Sequence, residues 1–97
     1  MNYEQNSLIL KAMADPSRMK IIDLLSSGSL CACDVLQHFD FTQPTLSHHM
    51  KVLEKAEIIS VNKQGQWHHY QLREEFVTQF MRSMMNLLTN SSEKSIS

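Results

Sequence analysis

The stretch Thr42-Gln43-Pro44-Thr45-Leu46-Ser47-His48-His49-Met50-Lys51 decides how this chain folds. Thr42 is suited to cap a helix, and Pro44 falls in the first turn, where its missing N–H breaks no hydrogen bond. At about 100° per residue, Met50 and Leu53 lie within about 40° of Leu46, which makes a narrow apolar seam. Pro44, His48, Lys51 and Lys55 fall near the opposite side, with Ser47 on the shoulder. A helix over residues 43–56 therefore buries one strip and presents Gln43, Thr45, Ser47, His48 and Lys51 outward. Such side chains reach base edges and phosphates: Gln pairs with adenine, Ser donates or accepts, and Lys adds a salt-dependent attraction. Every surface helix is polar outside, however, so this face needs support from its neighbours. His49, at the edge of the seam, is expected to be packed and hydrogen-bonded rather than a base contact.

Upstream, Asp40-Phe41-Thr42 separates this helix from a short one over residues 32–39, with Val35, Leu36 and Phe39 inward. Earlier still, Asp15-Pro16 is a strong helix start, and a helix over 16–26 is expected to bury Met19, Ile22 and Leu25 before Gly28 ends it. Leu8, Ile9, Ala12 and Met13 give a first helix over 3–13. Downstream, two β-prone runs, residues 58–63 and 67–72, flank Gln64-Gly65-Gln66, a hairpin turn. Lys63 and His68 lie near its tip, while Trp67 and Tyr70 are expected to anchor it to the body. A last helix over 74–88 carries Phe76, Val77, Phe80, Met81, Met84, Met85, Leu87 and Leu88, and the polar tail 89–97 is expected to be disordered. The order α-α-α-α-β-β-α, with only a few residues between the third and fourth helices, predicts a mainly helical fold with a small β-hairpin, a winged helix-turn-helix. Residues 1–88 then form one domain.

Charge alone neither requires nor excludes nucleic acid. The net charge is −1, yet Lys51, Lys55, Lys63 and Arg73 with His48, His49, His68 and His69 make residues 41–73 basic, opposed by Glu54 and Glu57. No run of about 18 apolar residues and no secretory leader is apparent, so the expected location is the cytoplasm, where thiols stay reduced. No nucleophile–base–orienter set and no glycine-rich phosphate loop occurs, so an enzyme is not expected.

The chain's two thiols stand together in Leu30-Cys31-Ala32-Cys33-Asp34. Residues i and i+2 diverge by about 200° on a helix but share a face in extended chain. Cys31 and Cys33 therefore converge if Cys31 is still extended where the third helix begins. A helix start also favours the thiolate, and paired soft thiolates select soft partners: trivalent arsenic or antimony, cadmium, lead or zinc. Two small buried hydrophobes would be the plain alternative, and a redox or persulfide switch is another.

Four segments, Ala14-Asp15-Pro16-Ser17-Arg18-Met19, Leu30-Cys31-Ala32-Cys33-Asp34, residues 42–51 and Gly65-Gln66-Trp67-His68-His69-Tyr70, closely resemble the ArsR/SmtB family of metal-responsive repressors, and the likeness covers residues 5–85. The resemblance implies a dimeric winged helix whose first and last helices form the interface, here through Leu8, Phe76, Phe80, Met84 and Leu88. It implies operator contacts from Gln43, Thr45, Ser47 and His48, to which Thr42, Lys51 and the hairpin's Lys63 and Gln66 are added as candidates. It also implies a third-helix sensor at Cys31 and Cys33, with arsenite or antimonite as inducer and no resident cofactor. Three departures narrow this. The third cysteine of the arsenic-type site is Leu36 here, residues 1–12 contain no cysteine, and Phe76 occupies the place of the last-helix histidine of zinc and cobalt sensors. Two thiolates with a water or exogenous thiol as third ligand suit trivalent arsenic, and suit tetrahedral zinc poorly. The expected function is a homodimeric repressor released from double-stranded operator DNA by trivalent arsenic or antimony. A divalent soft-metal or thiol-redox sensor of the same fold is the alternative, and a winged helix binding only protein is a more distant one.

Overall fold

A computed structural model describes residues 2–89, and the expected disordered tail lies, but for Thr89, outside the described residues. Five helices and three strands follow in the order α1 (Tyr3–Met13), α2 (Pro16–Leu25), β1 (Leu30–Cys31), α3 (Ala32–Leu36), α4 (Gln43–Lys55), β2 (Ile59–Gln64), β3 (Trp67–Leu72) and α5 (Glu74–Leu88). The winged helix-turn-helix expectation is met, with one addition. Leu30–Cys31 pairs antiparallel to β3, so the hairpin becomes a three-stranded sheet in the order β1-β3-β2. The registers are Leu30 opposite Tyr70 and Cys31 opposite His69, then Ile59 opposite Leu72 through Gln64 opposite Trp67.

Local chemistry explains most boundaries. Asn2 caps α1 and Asp15 caps α2, each accepting a backbone N–H three residues on, from Gln5 at 3.0 Å and Arg18 at 3.1 Å. That bond, more than anything else, holds the Asp15 carboxyl below its ordinary pKa. Thr42 does not cap α4 as expected. Its hydroxyl lies 3.3 Å from that of Thr45 instead, and no backbone N–H reaches it. At the other end of α4, Glu57 adopts φ 61° and the Ile58 N–H returns 3.0 Å to the Leu53 carbonyl, the closing bond of a left-handed helix terminus. The hairpin closes tighter than expected: Gln64 belongs to β2, leaving Gly65-Gln66, with Gly65 at φ 61°, as suits a type II′ turn.

One core unites these elements: Ile9 and Ala12 from α1, Ile21 and Leu25 from α2, Val35 from α3, Leu46, Met50 and Leu53 from α4, Ile58 from the turn after it, and Ile59 and Tyr70 from the sheet. The seam assigned to α4 is thus the buried one. In α2 the stripe is shifted. Ile21 is fully buried and Ile22 half-buried, whereas Met19, two positions before Ile21 and so on the opposite side of the helix, is 58 % exposed. Trp67 also departs from expectation: it is 62 % exposed, because β3 sends Tyr70 inward and the odd-numbered residues outward. Phe39 follows α3, stacked on Phe41 at 4.5 Å between ring centres.

Candidate nucleic-acid interface and thiol site

The turn between α3 and α4 and the seam beneath α4 leave one face of that helix free. Gln43, Thr45, Ser47, His48 and Lys51 are all exposed on it, and Thr42 is exposed just before it. At the hairpin tip Lys63 and Gln66 are exposed too, with Trp67 beside them and His68 half-buried opposite Lys63. Trp67 was not among the expected contacts. Its alternation with Tyr70 could have revealed it, since the two residues lie an odd number of positions apart on one strand and must face opposite ways.

Cys31 is the N-cap residue of α3, with extended backbone at φ −77° and ψ 157°. This is the geometry that lets an i, i+2 pair converge. The two sulfurs and a carboxylate oxygen of Asp34 lie within 4.8 Å of one another. Cys31 Sγ also accepts the Asp34 backbone N–H at 3.3 Å. Cys31 is nearly buried and Cys33 exposed, so one side of the cluster is anchored and the other open to solvent. The expectation that a helix start favours the thiolate fails at Cys31. A hydrogen bond with the Cys33 thiol pushes its pKa up, and this outweighs the opposing Asp34 N–H; burial and the Asp34 carboxylate add to the rise. Five residues of helix supply few aligned peptide dipoles to counter these effects.

The donor set fits a thiophilic ion. A tetrahedral ion with sulfur at about 2.3 Å holds its sulfurs ~3.8 Å apart, within rotamer adjustment of the spacing here. Asp34, not foreseen as a donor, adds one oxygen. Its exposure leaves that carboxylate free to turn toward the sulfurs or toward water.

Helix α5 has no buried residue at all. Phe76 and Phe80, stacked at 5.4 Å, are half-buried against the core and Met84 is half-buried, while Val77, Met81, Met85 and Leu88 are exposed. Leu8 and Tyr3 on α1 are exposed likewise. Between the two helices lies a cavity of about 300 Å³ lined by Tyr3, Leu10, Ala14 and Leu87 with polar neighbours. Of the five expected interface residues, Leu8 and Leu88 stand outward, Phe76 and Phe80 straddle core and surface, and Met84 is half-buried.

A helix-turn-helix with a polar reading face, a β-hairpin beside it and a thiol pair at its first helix define a winged-helix regulator. Residues 15–61 match the family described as bacterial regulatory protein, arsR family. An arsenical resistance operon repressor of Staphylococcus xylosus is 48 % identical over 93 residues, covering 96 % of this chain and 88 % of that one. Its counterpart in Staphylococcus aureus is 45 % identical over 96 residues, covering 99 % of this chain and 91 % of that one. The crystal structure of an ArsR family transcriptional regulator superposes with a TM-score of 0.77 at 25 % identity, over 95 % of this chain and 98 % of the other. The chain belongs to the arsR family.

Proposed function

We propose that this protein is a repressor that binds operator DNA as a homodimer and leaves it when trivalent arsenic or antimony is held by Cys31 and Cys33. Residues 1–88 serve as one DNA-binding and dimerisation unit in the cytoplasm. The observation that carries this reading is the convergence of Cys31, Cys33 and Asp34 at the start of α3, the first helix of the helix-turn-helix. The two Staphylococcus relatives named as arsenical resistance operon repressors support arsenic as the inducer.

The chemistry balances without a redox partner. Neutral arsenous acid, As(OH)₃, exchanges two hydroxyls for the two thiols: two As–S bonds form, and each departing hydroxide leaves as water with a thiol proton. The remaining hydroxyl points to the open side, where the Asp34 carboxylate can accept its hydrogen bond. On the DNA side, Gln43, Thr45, Ser47 and His48 read base edges, and Thr42, Lys51, Lys63 and Gln66 hold phosphates. Cys31 belongs at once to α3 and, through its ladder with His69, to the wing. Drawing its sulfur toward Cys33 therefore acts on the helix that leads into the reading helix and on the wing, and the spacing of half-sites in the dimer changes. By linkage, operator DNA weakens inducer binding by the same factor.

The oxygen donor of Asp34 favours one variant of this reading, a soft divalent ion such as cadmium at the same three residues. Fluorescence anisotropy of a labelled operator, challenged in turn with arsenite, antimonite, cadmium, lead, zinc and peroxide, separates the cases. Release by arsenite and antimonite at the lowest concentrations supports the proposal. Release by peroxide alone, or by none of them, rejects it.

A further inference from the structure

Between the reading helix and the rest of the body lies one polar connection that operator contacts and ion binding do not account for. Arg18, half-buried in α2, places Nη1 3.1 Å from Nδ1 of His49 on α4. Its Nε donates to the Ala12 carbonyl at 2.6 Å, in the last turn of α1. Its own backbone N–H is held by the Asp15 cap. A guanidinium has donors and no acceptor, so His49 Nδ1 must be the unprotonated, accepting nitrogen and its proton sits on Nε2. The Phe41 ring, 5.5 Å from the imidazole, covers another side of it.

We infer that Arg18 and His49 are positioning residues for operator recognition: the guanidinium pins the reading helix, through a neutral imidazole, to the end of α1. This rests on the repressor reading above, in which α1 carries dimer contacts and α4 reads DNA. A single side chain then spans the path from the dimer face to the reading face. The angle between them, and so the half-site spacing, depends on a bond that only the neutral histidine can accept.

The charged and titratable groups facing His49 are Asp15 and Arg18 from α2 and His48 from α4 itself. Burial is the largest influence and disfavours the imidazolium; Arg18 and His48 act in the same direction, and Asp15 opposes. His49 therefore stays neutral to a lower pH than a free histidine. When it is finally protonated, the acceptor is lost and two cations face each other. A variant that keeps the acceptor but cannot titrate therefore isolates the clamp from every other effect of pH on operator binding.

The test compares the full-length wild type with His49→Asn, whose amide oxygen can accept from Arg18 without titrating. Operator affinity is measured by anisotropy from pH 7.5 to 5. At pH 7.5 the two proteins should agree within about threefold, and the wild type should fall progressively behind the variant only well below pH 6.5, by about tenfold at the acid end of the range. Arg18→Met should weaken binding about tenfold at pH 7.5 with unchanged circular dichroism, and adding His49→Asn to it should change nothing further. A wild-type to variant ratio that stays flat with pH overturns the inference. So does a pH-dependent gap between Arg18→Met and the double variant as large as the gap between wild type and His49→Asn. Imidazole ¹⁵N NMR of the protein without DNA supplies an independent reading: Nδ1 of His49 should be the unprotonated nitrogen, shifting on Arg18→Met. A proton on Nδ1 overturns the clamp. Absence of any operator binding with the NMR signature intact would instead reject the repressor reading alone.

Discussion

At the scale of single residues, the chemistry of the sensor can be read by counting protons. Cys31 carries its proton firmly at neutral pH, because its thiol is hydrogen-bonded to Cys33 and lies beside the Asp34 carboxylate. Arsenous acid binding to two thiols releases water and no net proton, so arsenite affinity should barely change between pH 6 and 8. A divalent ion displaces two protons and should tighten by up to about a hundredfold per pH unit over the same range. Calorimetry or competition titration at three pH values distinguishes the two, and a steep arsenite dependence would speak against the dithiol exchange. Trp67 offers a second residue-scale test. It is the protein's one tryptophan and stands 62 % exposed next to the hairpin tip. Its emission should be quenched or shifted blue when operator binds, and unaltered emission would place the wing off the DNA. Much at this scale was legible beforehand. The convergence of Cys31 and Cys33 followed from the extended geometry required just before a helix, and His49 was foreseen as a packed histidine. Its partner Arg18 was not, since a contact between residues 31 positions apart leaves no local trace. The rise in the Cys31 pKa was missed for a related reason: it arises from the thiols' mutual hydrogen bond, which spacing does not reveal.

Among the elements, helices α1, α4 and α5 fall where their apolar periodicity puts them, because each buries or presents a stripe long enough to show a period. Strand β1 escaped notice, since two residues cannot display an alternation. It exists because β3 has a free edge that Leu30 and Cys31 can satisfy. The misplacement of Met19 has a similar origin: on a ten-residue helix rich in apolar positions, neighbouring stripes score almost alike. The terminus of α4 is the element most open to improvement. Glu57 holds a left-handed conformation at a cost of roughly 1–2 kcal/mol for a residue with a Cβ, whereas glycine takes it freely but gives up about 0.5–1 kcal/mol of chain entropy. Glu57→Gly should therefore stabilise the fold by about 0.5–1 kcal/mol, seen as a rise of a few degrees in thermal midpoint. Its exposed side chain makes the loss of charge a minor matter. A drop in midpoint would show that the Glu57 side chain has a role beyond this turn.

For the molecule as a whole, the unfilled requirement is cover for α5 and the adjoining part of α1. A fifteen-residue helix with no buried residue, carrying exposed Met81, Met85 and Leu88, is an apolar surface that a monomer of 97 residues would keep in water at considerable cost. In the proposed homodimer a second copy supplies cover of the same chemistry and sets two reading helices on one face. Phe80→Glu together with Met84→Glu places charges on the half-buried edge of the proposed dimer face. This double variant should sediment as a monomer and bind operator at least about a hundredfold more weakly. A Met81→Glu, Met85→Glu variant, altered at fully exposed positions, guards against misfolding as the cause and should behave alike. Dimers that persist in both would remove α5 from the interface. The exposed apolar stripe of α5 was legible as wider than one core needs, but which of its residues turn inward was not, since Phe76 and Phe80 are half-buried against the core while their neighbours stay exposed.

The coupling between thiols and DNA is tested most directly by operator affinity measured with and without saturating arsenite, for wild type and for Cys31→Ser, Cys33→Ser. Arsenite should weaken wild-type binding by tenfold or more, in line with coupling energies of about 1–3 kcal/mol. The double serine variant should bind operator as tightly as wild type and stay bound whatever the arsenite concentration. Arsenite-driven release that survives the loss of both sulfurs would contradict a sensor at the start of α3.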